Sequence, residues 1–227
     1  MNGVLDWFRD SENWHGPDGV PTLMGQHLLL TATAVLIAMA VGLPLSLWLG
    51  HRHRGGLLVI NLTNIGRAVP IVALLSLFSL TVLGTGHLGP YGRSGLATLV
   101  TLALFALPPI VTGAYTAVVE VDPDVVEAAR GMGMSELEVL RRVELPLAAP
   151  LIVAGLRLAV VQVWATATIA ALVAGPGLGN IITFGYANNK TAVVVSGSLI
   201  VAVSAVLLEL GFLGLQKVVD PRPRAAA

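Results

Sequence analysis

Long apolar runs separated by short polar stretches set the rhythm of this chain. Five of them, at 28–49, 57–83, 96–119, 151–173 and 192–215, reach the length of about 20 residues that a helix needs to cross a bilayer. The pattern predicts an all-α transmembrane protein with about five spans in a membrane domain over 26–219. An extracytoplasmic segment at 1–25 precedes it, and a cytoplasmic tail at 220–227 follows. The second run is the least regular, because Asn61, Thr63, Asn64, Arg67 and Pro70 crowd its first half. Those polar groups predict a bend at the cytoplasmic surface.

Between the third and fourth runs, 120–147 is polar and reads as two short helices set at an angle. Asp122 is a capping acceptor, Pro123 suits the first helical position, and Asp124 and Glu127 lie near the positive end of the helix dipole. The Gly131-Met132-Gly133 segment is expected to break this helix, since glycine adopts left-handed backbone angles at little cost. Ser135 starts a second helix, with Glu138 three residues on completing a capping box. Leu137, Leu140 and Val143 recur along it at helical spacing, and Pro146 is expected to end it. A short helix bounded by a glycine corner is suited to entering a partner's groove.

Composition agrees with a lipid solvent. Hydrophobic residues make up 55% of the chain and charged residues 11%, far from the balance of a soluble domain. Residues 1–20 lack a basic start and carry Asp6, Asp10, Glu12 and Asp18, unlike a cleaved signal peptide. Trp7, Phe8 and Trp14 read as interfacial anchors. Cysteine is absent, so thiol chemistry and disulfides are excluded. Arg52 and Arg54 fall between the first two runs, Arg130, Arg141 and Arg142 in the 120–147 loop, and Lys217, Arg222 and Arg224 at the end. By the positive-inside rule these face the cytoplasm and the N-terminus lies outside.

Glu127-Ala128-Ala129, three residues, Gly133, nine residues, then Val143-Glu144-Leu145-Pro146 resembles the EAA loop of permease subunits in bacterial ABC importers, with Val143 at the position usually held by Ile. Asn13-Trp14-His15-Gly16-Pro17-Asp18-Gly19, Gly66-Arg67-Ala68-Val69-Pro70 and Ala165-Thr166-Ala167-Thr168-Ile169-Ala170 extend the likeness to the osmoprotectant branch. That branch serves glycine betaine, choline, carnitine and related compounds. The resemblance implies a type I importer fold and a bilayer-embedded chain in the bacterial inner membrane. It also implies two permease subunits, identical or paralogous, two ATP-binding subunits and an extracytoplasmic binding protein, with no nucleic-acid partner. Carried over by position, Glu127, Ala128, Ala129, Gly131, Gly133, Leu145 and Pro146 belong to ATPase coupling. No Gly-x-x-x-x-Gly-Lys-Ser/Thr loop occurs in the chain, so ATP and its Mg are expected in a separate ATPase, with no cofactor and no catalytic residue here.

Inside the membrane, Pro108-Pro109 predicts a kink in the third span. Tyr115, Gln162, Trp164 and Thr168 are candidates for the translocation path, with Tyr115 and Trp164 able to offer aromatic faces to a quaternary ammonium. Helix packing is the plainer role for Gln162 and the threonines, and lipid contact for the aromatics. Arg157 invites pairing with Glu120 or Glu209. Gly175-Pro176-Gly177-Leu178-Gly179 is a strong turn signal, either a gate or a simple extracellular loop. His51 and His53 flank Arg52 but lack a third metal ligand, and read as part of a basic turn. An intramembrane hydrolase is disfavoured by the absence of Asp or Glu near any span centre. Secondary transport remains an alternative, as does import of an amino acid such as methionine by a permease of similar size.

Overall fold

A computed structural model describes residues 2–219; the tail at 220–227, with Arg222 and Arg224, and the side chains of Asn64 and Arg67 lie outside the described residues. The chain opens with α1 (Asn2–Arg9) and a 3-10 turn at Ser11–Trp14, tied by Asn13 Nδ2 donating to Trp7 O (2.9 Å) and Trp14 Nε1 donating to Phe8 O (2.9 Å). Then follow α2 (Val20–His51), α3 (Gly56–Ala68), α4 (Ile71–Ser79), α5 (Val82–Thr85) and α6 (Gly95–Val119). The polar loop forms α7 (Pro123–Gly131) and α8 (Glu136–Val139), and α9 (Leu145–Ala167), α10 (Gly179–Ala187) and α11 (Thr191–Val219) complete the fold. Among the described residues four helical stretches are long and apolar enough to cross a membrane: α2, α6, the stretch from Glu136 to Val173, and α11.

The second run, expected as one span over 57–83, is three helices. Proline excludes the preceding residue from the helical region, and Val69 and Pro70 are both extended, with ψ of 120° and 121°. Thr81 breaks the run again and caps α5 by accepting from Leu83 N–H (3.3 Å). At 1.5 Å per residue, the 13 residues of α3 span only about 20 Å, less than the hydrocarbon core of a membrane. Pro108 and Pro109 lie within α6, which continues through them to Val119.

Helix α6 is the hub, packing against α2, α9, α3 and α4. In lipid, apolar side chains gain nothing by leaving solvent for one another, so helices associate through close van der Waals contact and small residues. Gly113 of α6 meets Gly155 of α9 backbone to backbone: a Cβ on Gly113 would lie 2.8 Å from Gly155 Cα. Leu30, Ala34 and Ala38 of α2, Leu102, Ala106 and Ile110 of α6, and Ala159 and Val163 of α9 form the shared core. By contrast, Leu36, Val41, Val203, Val206 and Leu207 point outward from α2 and α11, as lipid-facing or partner-facing surfaces do.

The end of the bundle away from the polar loop is closed by a histidine-containing cluster. His27 is fully buried, packs edge-on to Trp164 (ring centroids 4.4 Å apart), and donates from Nε2 to Trp164 O (2.9 Å). The acceptor sits where α9 tightens into a 3-10 turn at Thr168–Val173. Gly175–Gly179 is buried, not an exposed extracellular loop; a Cβ on Gly177 would lie 2.7 Å from His27 Nδ1. Asn180 Nδ2 clamps the turn by donating to Gly175 O (3.1 Å) and Gly177 O (3.0 Å).

The glycine crossing makes a direct prediction. Gly155→Ala should destabilise the chain by about 1–3 kcal/mol through overpacking against Gly113. Gly211→Ala in α11, where a Cβ meets nothing within 4 Å, should be neutral or slightly stabilising; thermal unfolding of both variants in detergent distinguishes them.

Candidate functional site: the polar loop between α6 and α9

Helix α7 begins where Asp122 accepts from Asp124 N–H (2.9 Å) with Pro123 at the first position. It ends in a Schellman arrangement: Met134 N–H donates to Ala129 O (3.2 Å) and Gly133 N–H to Arg130 O (2.9 Å). Gly133 supplies the left-handed residue, at φ +86°, whereas Gly131 is the last helical residue. Across this corner Arg130 grips Glu136 with two bonds, Nε to Oε1 (3.1 Å) and Nη2 to Oε2 (3.0 Å). Arg130 holds the Glu136 carboxyl below the usual carboxylate range. Glu138 accepts from Ser135 N–H (3.0 Å) and Ser135 Oγ–H (2.9 Å), and those bonds lower its carboxyl as well.

Pro146 does not end the second helix, as its sequence position suggested. Leu140–Glu144 is a π turn, with Leu145 N–H donating to Leu140 O, and the helix runs on into α9. Widening the turn just before Pro146 accommodates a residue that lacks an N–H and crowds the preceding carbonyls. The extra residue also resets which side faces in. Val139 is fully buried and Glu144 1% exposed, while Leu137, from the expected apolar stripe, is 55% exposed.

The loop therefore has two faces. Val126, Ala129 and Val139 pack with Ala117, Val118, Val121 and Ala148, joined by Leu47 of α2 and Met134. Outside lie Glu127, Ala128, Gly131 and Gly133, with Val125, Met132 and Leu137 as uncovered apolar side chains. Of the expected coupling residues, Ala129 (2% exposed) is turned into the chain's own core. Leu145 is half-buried and Pro146 exposed at the start of α9.

Beneath the loop is a buried hydrogen-bonded pair between residues too far apart in the chain for any local pattern to reveal it. His51, the last residue of α2, donates from Nδ1 to Glu144 Oε2 (2.7 Å), and its Nε2 lies 3.1 Å from Glu136 Oε2. His51 is 4% exposed, so it is not part of the exposed basic turn with Arg52 and His53. Arg157 of α9 pairs with Glu209 of α11 (3.2 Å), one of the two expected partners.

The four path candidates do not come together. Trp164 is interior, with Nε1 donating to Ser204 Oγ (3.1 Å), and its neighbours Val20 and Leu23 lie at the start of α2. Tyr115 instead sits by Gly50 and Gly56, near the other end of α2 from the His27 that packs on Trp164. They do not form a joint aromatic face, because they occupy opposite ends of the helix. Gln162 and Thr168 are half-exposed; Thr168 Oγ1 donates to Ala165 O (2.7 Å) within its own helix.

A bundle of membrane-length helices with a two-faced polar loop at one end, one face packed and the other open, defines an integral-membrane protein of the helical-bundle class. The described residues contain no cluster able to hold a metal ion. Residues 42–225 match the family of binding-protein-dependent transport system inner membrane components, and the chain belongs to that family. It is 34% identical over 198 residues to the choline transport system permease protein OpuBD of Bacillus subtilis, covering 87% of this chain and 84% of that one. It is 32% identical to the carnitine transport permease protein OpuCD of Listeria monocytogenes over 86% of this chain and 84% of that one. The osmoprotectant import permease protein OsmW of Salmonella typhimurium is 32% identical, with 88% and 92% covered. Among solved structures, inward-facing conformations of the MetNI methionine ABC transporter share the fold at a TM-score of 0.72 and 22% identity, covering 86% of this chain and 93% of that one.

Two predictions follow from the loop's charges. Removing one member of a buried pair strands the other, so His51→Leu should cost about 3–5 kcal/mol, while His51→Leu combined with Glu144→Leu costs less; a double-mutant cycle by thermal unfolding checks this. For Glu138 the folded carboxyl is lowered, so its contribution is present at neutral pH and lost as pH falls through the lowered value. The hydrogen-exchange protection factor of Ser135 N–H should fall with it, and Glu138→Gln should flatten that profile.

Proposed function

We propose that this chain is the membrane-spanning permease of an ATP-driven importer for osmoprotectants such as glycine betaine, choline or carnitine. As in its family, ATP is hydrolysed in a separate ATPase subunit, which carries the nucleotide and Mg. The observation that carries the reading is the outer face of α7 and α8. Val125, Ala128, Met132 and Leu137 stay uncovered there although the loop's other face is fully packed. An ATPase docked on this face would receive Glu127, Ala128 and the Gly131–Gly133 corner, with Ala129, Leu145 and Pro146 holding the loop from behind. Docking and release would then rock the helix bundle between outward- and inward-open arrangements.

The substrate class follows the names of the relatives; the methionine transporter shares the fold alone and favours no substrate. The chain works with a second permease, identical or paralogous, and with an extracytoplasmic binding protein. The basic residues favour the loop facing the cytoplasm and the N-terminus outside. At the outer end, Trp7, His15, Asp18 and Phe184 surround an open cavity of about 800 Å³, suited to receive what a binding protein delivers.

Ala128→Trp alters only the outer face and should preserve folding while abolishing copurification of the ATPase subunit in mild detergent. Native proteoliposomes holding the ATPase, second permease and binding protein should accumulate radiolabelled choline or glycine betaine, and the variant should lose at least tenfold of that uptake. ATPase retention by the variant, or native uptake of methionine but neither osmoprotectant, contradicts the proposal.

A further inference from the structure

Three long helices meet the loop, but not in the same way. Helix α6 leads into it by the chain itself and α9 continues out of it through the π turn, so both must follow when the loop moves. Helix α2 has no such covalent link: it follows through its packing on α6 and α9 and, at the loop itself, through Leu47, on the edge of the loop's apolar core, and His51.

His51 is placed for more than packing. It ends α2, is nearly excluded from solvent, and reaches two elements with one ring: Glu144 in the π turn at 2.7 Å and Glu136 in α8 at 3.1 Å. Glu136 is in turn held by Arg130 of α7. The chain Arg130–Glu136–His51–Glu144 thus crosses from the coupling helix, through the loop corner, to the ends of α2 and α9. Excluded water cannot readily replace its inner bonds, and an unpaired Glu144 would be costly.

We propose that His51 is a positioning residue that couples α2 to the loop, so that displacement of the docked loop reaches α2 together with α9. Without the pin, α6 and α9 follow the ATPase while α2 lags, and ATP is hydrolysed with less transport. This rests on the importer reading above.

The absence of cysteine allows spin-label pairs in the assembled transporter. Leu45→Cys with Val203→Cys reports α2 against α11, and Asp124→Cys with Val203→Cys reports the loop. These pairs are measured with and without a non-hydrolysable ATP analogue and the binding protein, beside proteoliposome assays of substrate moved per ATP. In the native background both distances should shift. Glu136→Ala, which spares the buried His51–Glu144 pair, and His51→Gln should keep the loop shift. Both should at least halve the α2 shift and lower substrate moved per ATP several-fold. Arg130→Gln, which leaves Glu136 beside His51, should keep the α2 shift. An undiminished α2 shift in Glu136→Ala and His51→Gln, with the ATPase bound and the loop responding, overturns the pin. A native loop that does not respond to nucleotide overturns the importer reading itself and the pin with it.

Discussion

The architecture depends on how closely α6 and α9 approach. A bilayer gives helices no hydrophobic reason to associate, so stability has to come from shape, and shape here begins with Gly113 against Gly155. With α9 drawn in, Ala159, Val163 and Ala167 reach the small and branched side chains of α2 and α6 in one core. That close crossing also places the base of α9 beside the end of α2, which is what lets His51 meet Glu144.

The loop extends this rigid crossing into a compact, two-faced unit. Its inner face is an extension of the bundle core, in which Val118 and Val121, at and just beyond the end of α6, contact Val126, Ala129 and Val139. Its two short helices are held at their corner by backbone bonds around Gly133 and by the Arg130–Glu136 pair. A loop built this way is a rigid unit, since its contacts to the chain are buried and only its other face is exposed. Small residues serve two purposes in the Glu127-Ala128-Ala129 motif: Ala128 keeps the outer face low, while Ala129 lets α7 lie close on its own chain.

Much of this was legible in order along the chain. Spans one, three, four and five appear as long apolar runs, and the cap at Asp122, the left-handed Gly133 and the Ser135–Glu138 box follow from local chemistry. Local rules failed where two effects competed. Pro70 overrode the hydrophobicity of the second run because a missing N–H and a steric clash outweigh composition. Pro146 did not stop its helix because a π turn absorbed the misfit and rotated Glu144 inward. The partners of His27 and His51 lie 137 and 93 residues away, and no periodicity carries information at that range. Nor does residue type decide between a path and a core for Tyr115 and Trp164; only tertiary packing does, and it buries Trp164 against Ser204 while Tyr115 lies beside Gly50.

The two buried histidines make sense together. Both lie on α2, His27 bonded to the antiparallel α9 at the end away from the polar loop and His51 to the π turn that leads into α9 at the loop end. Their 24-residue separation corresponds to about 36 Å of helix, close to the thickness of a bilayer. The bond away from the loop goes to a backbone carbonyl at a 3-10 transition, with Gly177 packed against the ring, so it is defined by shape and involves no carboxylate. The bond at the loop end goes to a carboxylate and continues through Glu136 to an exposed arginine on the uncovered side of the loop. A helix pair fastened at both ends cannot slide; it can only tilt about one fastening while the other gives. The charged fastening is the one joined to the loop, so force applied there reaches α2 at its end, where it has the longest lever about His27.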